Sequence, residues 1–215
     1  MNQYRTVIFD LDGTLLNTLD DLTDSVNFAM AELGLPSRSS AEIRSFVGNG
    51  VRRLMELAVP GGSQNPRFQA ALNLFTAHYS QNCRNKTAPY PGVMALLRSL
   101  SAAGYKLAIV SNKYDDAVKD LNERYFKAYI GVAIGETADI RKKPAPDTVF
   151  QALLALKSTK GEAVYIGDSE VDIETARQAG LDCISVSWGF RDRDWLEKSG
   201  ARLVVDEPLA LLQYL

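Results

Sequence analysis

Thr6-Val7-Ile8-Phe9-Asp10-Leu11-Asp12-Gly13-Thr14-Leu15 is the stretch that decides the fold of this chain. Its first four residues are β-branched or apolar, without the polar alternation of a half-exposed strand. That is the pattern of a parallel strand covered on both faces. Charge and glycine then end it. Runs of the same kind recur at Lys106–Ser111, Tyr129–Ile134, Ala163–Asp168, Cys183–Trp188 and Leu203–Asp206. Helical spacing fills most of the intervals. Pro91–Leu100 sets Val93, Leu96, Leu97 and Leu100 on one face, and Pro146–Leu156 does so with Val149, Phe150, Leu153 and Leu154. Glu170–Ala179 stops before Gly180, a residue suited to the left-handed turn that ends a helix.

Strands alternating with helices predict an α/β fold with a doubly wound parallel sheet, a Rossmann-like core. Residues 16–83 break the rhythm, because no convincing strand occurs there. Asp20–Leu33 carries Leu22, Val26, Ala29, Met30 and Leu33 at helical spacing, closed by Gly34 and Pro36. Ser39-x-x-Glu42 has the form of a capping box ahead of Ile43, Phe46 and Val47. Asn65-Pro66 offers a cap and first-turn proline before Phe68, Leu72, Phe75 and Tyr79. The expectation is therefore a core of residues 1–15 and 84–215 with a helical cap domain inserted at 16–83.

Bulk properties narrow the function. The chain has 215 residues, with 24 Lys and Arg against 26 Asp and Glu, a formal charge of −2. This balance gives no general attraction to nucleic acid or to an anionic membrane, both of which call for basic stretches. No apolar run approaches the roughly 18 residues of a membrane span, and Asp10 and Asp12 interrupt the only run near the N-terminus that could pass for a signal. A cytoplasmic location is expected. Cys83 and Cys183 form no CxxC pair and suggest neither a disulfide framework nor zinc.

Ligands of parallel α/β sheets bind outside the carboxyl ends of the strands. There the sequence places Asp10 and Asp12, then Ser111-Asn112-Lys113, then Asp168-Ser169 with Asp172 four residues on. Any one of these residues can be explained as a helix cap. Four gathered aspartates would repel one another without a cation between them, and oxygen ligands suit Mg²⁺. A carboxylate at Asp10 or Asp12 can attack phosphorus to give an aspartyl phosphate while its neighbour moves the proton. Lys143, in Lys142-Lys143-Pro144-Ala145-Pro146, is held extended by the following proline and could neutralise developing charge. Ser111 and Asn112 can donate to phosphoryl oxygens or cap the next helix. His78, the only histidine, lies far from Ser111 and Ser169 in sequence, which serves a Ser–His hydrolase poorly.

Phe9-Asp10-Leu11-Asp12-Gly13-Thr14-Leu15, Val110-Ser111-Asn112-Lys113, Lys143-Pro144-Ala145-Pro146 and Ile166-Gly167-Asp168-Ser169-Glu170-Val171-Asp172 resemble, in order, the four motifs of the haloacid dehalogenase-like hydrolases. The resemblance spans almost the whole chain. It implies Asp10 as nucleophile, Asp12 as general acid and base, and Ser111 and Lys143 as phosphate stabilisers. It also implies Mg²⁺ on the Asp10 side chain, the Asp12 backbone carbonyl and Asp168, with Asp172 close behind. Asp12 marks the phosphatase branch rather than the dehalogenase branch. The helical insert resembles the family's cap, and Phe46-Val47-Gly48-Asn49-Gly50-Val51 is similar to that segment of phosphoglycolate phosphatases. Asn17 departs from the aspartate that many relatives carry after the first motif.

The expected activity is hydrolysis of a small phosphorylated metabolite, 2-phosphoglycolate first, with Asn49, Arg52 and Arg53 as candidates for its non-phosphate end. A guanidinium suits a carboxylate, although Gly48-Asn49-Gly50 can equally be a plain turn and the arginines a solvated face. Alternatives within the same chemistry are a sugar-phosphate phosphatase, a pyrophosphatase and a β-phosphoglucomutase-like enzyme. A non-enzymatic phospho-acceptor like a receiver domain is the alternative from another class, but it needs neither the second aspartate of the DxD pair nor a helical insert.

Overall fold

The computed structural model describes residues 4–215. The chain runs β1 (Thr6–Phe9), β2 (Leu16–Asn17), α1 (Leu19–Glu32), α2 (Ser40–Phe46), α3 (Val51–Ala58), α4 (Phe68–Asn82) and β3 (Ala88–Pro89). It continues with α5 (Val93–Ala102), β4 (Lys106–Tyr114), α6 (Asp115–Tyr125), β5 (Val132–Glu136), α7 (Asp147–Ala155) and β6 (Ala163–Gly167). Last come α8 (Glu170–Ala179), β7 (Asp182–Val186), α9 (Arg193–Lys198) and β8 (Val204–Val205). Two compact units result, one of Met1–Leu16 with Pro89–Leu215 and one of Asn17–Ala88.

The first unit is an α/β doubly wound fold. Its sheet has the order β5-β4-β1-β6-β7-β8, and every pairing is parallel. β1 is buried along its length because both faces are covered. Val7 and Phe9 join one apolar cluster with Leu96, Leu97 and Ile109, while Ile8 joins another with Val149, Tyr165 and Ala176. Such double burial is why these strands read as unbroken apolar runs.

Several boundaries differ from the expectation. β4 continues to Tyr114, with a register shift between Val110 and Tyr114 in its pairing with β5. β5 starts at Val132, since Tyr129 and Ile130 turn back onto the Phe126 carbonyl. α6 has no counterpart in the sequence reading, because only Val118 and Leu121 are buried and so thin an apolar stripe gives no helical period. β2 is a two-residue strand in the stretch read as strandless, and it pairs with β3.

The second unit is helical around its own core, which includes Leu22, Val26, Met30, Ile43, Met55 and Phe75. The Ser39–Glu42 capping box is formed in both directions. α4 starts only at Phe68, because Asn65 spends its side-chain oxygen on the Arg67 N–H in a turn ahead of the helix. The buried Asp21 carboxylate accepts the N–H groups of Lys86 (3.0 Å) and Thr87 (2.8 Å), tying residues past Cys83 to α1. His78 stacks on Phe28 with ring centroids 4.2 Å apart and pairs with the Ser25 hydroxyl. Among the described residues no helix is long and apolar enough to cross a membrane.

Candidate active site

Strand register gathers the motifs. Phe9 pairs with Ile109 on one side and Ile166 on the other, so Asp10, Ser111 and Asp168 leave the same carboxyl edge. The Asp10 N–H donates to the Ile166 carbonyl at 2.9 Å, which seats the residue. Its Oδ1 accepts the Leu11 N–H at 2.7 Å and lies 2.9 Å from Lys143 Nζ. Asp12 is gripped by Lys113, whose Nζ donates to Oδ1 at 2.8 Å and to Oδ2 at 3.0 Å. Gly13 has φ +89, and a Cβ there would stand 2.3 Å from Asp168 Oδ2. Only glycine satisfies both the turn and the approach.

Lys143 is fixed at both ends. Its N–H donates to Asn112 Oδ1 (2.8 Å) and its carbonyl accepts from Asn112 Nδ2 (3.0 Å). Asn112 thus braces Lys143, a contact that neither sequence expectation for it, donor to a phosphoryl oxygen or cap of the next helix, contains. The Lys143–Pro144 peptide is cis. The buried ammonium donates to Asp172 Oδ1 at 2.8 Å and meets the Tyr165 hydroxyl at 3.1 Å. Asp172 has two duties: its Oδ2 completes the α8 capping box with Ser169, and its Oδ1 supports Lys143. Asp172 is thus both part of a helix cap and a partner of Lys143. Ser111 is buried, and its hydroxyl accepts the Lys113 N–H at 3.2 Å.

Asp168 is held by residues that the sequence reading passed over. Thr14 Oγ1 donates to its Oδ1 at 2.9 Å and the Phe190 N–H to its Oδ2 at 2.7 Å. Trp188 Nε1 donates to the Thr14 carbonyl at 3.0 Å, and Arg191 pairs with Glu170 at 3.0 Å. Gly189 lets this loop approach, since a Cβ there would meet the Gly13 carbonyl at 2.3 Å. The available signal is position: the segment follows β7 at the same sheet edge. The sequence sets Lys113 at this edge without a role of its own, and Tyr165, inside an apolar strand, carries no sign of one.

The electrostatics bear on a metal. Oxygens of Asp10, Asp168 and Asp172 lie within 4.8 Å of one another, all on buried residues. Burial, reinforced by Asp172, holds Asp10 well above the usual carboxylate range. Burial and Asp172 also push Asp168 up to about 7. Burial works against the charge of Lys143, but Asp10 and Asp172 outweigh it and keep the ammonium protonated. Counting Asp12, four carboxyl groups face two paired lysines, an excess that the metal-free site meets by holding protons on Asp10 and Asp168 to higher pH. Hard oxygen donors with that excess fit a divalent cation such as Mg²⁺.

The shift at Asp168 has a measurable sign. Between its ordinary 3.8 and about 7 the folded state binds the extra proton, so metal-free stability falls as pH rises through that window. The carboxylates of Glu174 (about 2) and Asp206, held low by their arginine partners, finish titrating below it. In chelator the unfolding midpoint is therefore expected to be lower at pH 8 than at pH 5, and Mg²⁺ to raise it more at pH 8. A higher midpoint at pH 8 in chelator would contradict this charge balance.

Asn49, Arg52 and Arg53 lie in the helical unit. Arg52 pairs with Glu56 at 3.3 Å and lies over the Phe68 ring, Arg53 reaches the same Glu56 at 3.4 Å, and Asn49 is half-buried in the turn before α3. Both arginines thus stand in exposed ion pairs along one helix.

Residues 7–186 match the family model described as haloacid dehalogenase-like hydrolase. This chain belongs to that family. A phosphoglycolate phosphatase of Mesorhizobium japonicum is 34% identical over 191 residues, 87% of this chain and 84% of the relative. One from Pseudomonas putida is 32% identical over 97% of this chain and 78% of its own length. A crystal structure from Lactobacillus delbrueckii subsp. bulgaricus, of a protein named by inference as a phosphoglycolate phosphatase, superposes with a TM-score of 0.93 at 36% identity and 97% coverage of each chain. This haloacid dehalogenase-like hydrolase is accordingly an enzyme of the phosphatase kind, and its substrate is a small phosphorylated compound.

Proposed function

We propose that the enzyme hydrolyses small phosphate monoesters, 2-phosphoglycolate foremost, through an aspartyl phosphate on Asp10. The observation that carries this reading is the posture of Asp10. Leu11 N–H and Lys143 fix Oδ1, while Oδ2 has no hydrogen-bond partner among the described residues, which is how an oriented nucleophile is arranged. In the first half-reaction an Asp10 oxygen bonds to phosphorus as the ester P–O bond breaks, and Asp12 gives its proton to the departing alcohol. In the second, Asp12 takes a proton from water as the water oxygen bonds to phosphorus and the bond to Asp10 breaks.

Lys143 and the Ser111 hydroxyl stabilise the phosphoryl oxygens, with Asn112 bracing Lys143 and Asp172 supporting it. Mg²⁺, when bound on the Asp10 side chain, the Asp12 backbone carbonyl and Asp168, supplies the charge that lets a phosphate dianion approach these carboxylates. The division into a sheet-based catalytic unit of residues 1–15 and 84–215 and a helical cap of residues 16–83 belongs to the same proposal. So does the assignment of Asn49, Arg52 and Arg53 to the substrate's carboxylate end.

The substrate rests on the relatives' names and on the Phe46–Val51 segment. The test is phosphate release from 2-phosphoglycolate, sugar phosphates and pyrophosphate with and without Mg²⁺. A metal-dependent preference of at least about tenfold for 2-phosphoglycolate is expected, a difference within reach of one well-placed polar contact. Preference for another ester would remove the substrate assignment and keep the chemistry, and no release from any of them would remove both.

A further inference from the structure

We infer that Lys113 is the positioning residue that aims the Asp12 carboxylate for its proton transfers. The inference rests on the proposed acid–base role of Asp12. Lys113 is only 6% exposed, yet its ammonium spans both oxygens of one partner at 2.8 and 3.0 Å. A carboxylate held at both oxygens has its plane fixed, whereas a single hydrogen bond leaves it free to turn.

The origin of the grip is fixed as well. Lys113 lies near the end of β4, and its N–H is taken by the Ser111 hydroxyl at 3.2 Å. Behind it the chain is packed so closely at Gly135 that a Cβ there would come within 2.6 Å of the Lys113 carbonyl. The two buried lysines divide the labour: Lys143 serves Asp10 and Asp172, and Lys113 serves Asp12.

When the alcohol leaves, the proton of Asp12 moves to its oxygen and a negative charge appears on Asp12. That charge develops beside an ammonium already in place, with no reorganisation needed. The returning proton comes from the attacking water onto the same held carboxylate. Loss of Lys113 leaves the acid present and unaimed, so the penalty falls on esters whose leaving group requires a proton.

The test compares K113M, K113Q and D12N on two substrates: the alkyl phosphate that the enzyme hydrolyses fastest, and p-nitrophenyl phosphate, whose phenolate departs unprotonated. The quantity read is kcat/KM, which ends at release of the first product and so isolates the acid step. Misplacement of a reacting group by about 1 Å can cost about a hundredfold. The alkyl-to-aryl ratio is therefore expected to fall at least about tenfold in both Lys113 variants, in the same direction as in D12N. Equal losses on both esters, or an unchanged or raised ratio in the Lys113 variants, would overturn the inference. An unchanged ratio in D12N would instead remove the acid role of Asp12, a distinguishable failure because that variant keeps Lys113.

Discussion

Asp10→Asn is expected to lower phosphate release by at least about four orders of magnitude, the scale of loss when a nucleophile of a covalent mechanism is deleted. The amide matches the carboxylate in shape, so its oxygen can still accept from Leu11 N–H and Lys143. The fold should not suffer. Asp10 is one of three buried carboxylates whose oxygens lie within 4.8 Å, and burial holds it well above its ordinary range. The amide spares the cost of a carboxyl whose charged form burial and Asp172 disfavour, so in chelator the unfolding midpoint of the variant should equal or exceed that of the parent. Turnover within about a hundredfold of the parent would remove Asp10 as nucleophile, because general acid–base and electrostatic contributions alone are of that size.

Lys143→Met should damage stability and chemistry together. Methionine approximates the length of the side chain but removes the ammonium between Asp10 and Asp172. Asp172, 0% exposed, would be left with a buried charge supported by Ser169 and the Tyr165 hydroxyl. Breaking a buried pair in this way costs about 3–5 kcal/mol, readable as a lowered urea midpoint. Activity should fall by about two to three orders of magnitude, as for loss of one preorganised donor at developing charge.

The double variant K143M/D172N separates the two effects. It should recover most of the stability, since no charge is stranded beside Tyr165, and none of the activity. A single variant within about 1 kcal/mol of the parent would show that the ammonium is not what satisfies Asp172, given the usual cost of an uncompensated charge.

The residues in these predictions differ in how they could be found. Asp10, Ser111 and Asp168 were legible because a parallel strand buried on both faces must end where charge begins, and three such ends are hard to mistake. Lys143 was legible through the two prolines beside it. Lys113 could be set at that edge but not paired, because it reaches across the sheet to Asp12, 101 residues away in sequence. Tyr165 looked like another apolar strand residue, and only its hydroxyl, 3.1 Å from Lys143, gives it a part in the site. α6 was missed for a local reason, as two buried residues in eleven make no periodic pattern.

By itself the sequence determined the layer architecture, the sheet edge at which the motifs gather and the identity of most of the carboxylates there. Those properties follow from local causes: burial on two faces, turn residues and the parity of a strand. Tertiary structure alone decided the pairing of charges. It set Asp12 against Lys113, Lys143 between Asp10 and Asp172, Asn112 along the Lys143 backbone, and the Trp188–Arg191 loop over Asp168. A salt bridge or a shared proton depends on separations of a few ångströms between groups distant in the chain. No spacing rule along a sequence carries that information; it exists only once the strands are in register.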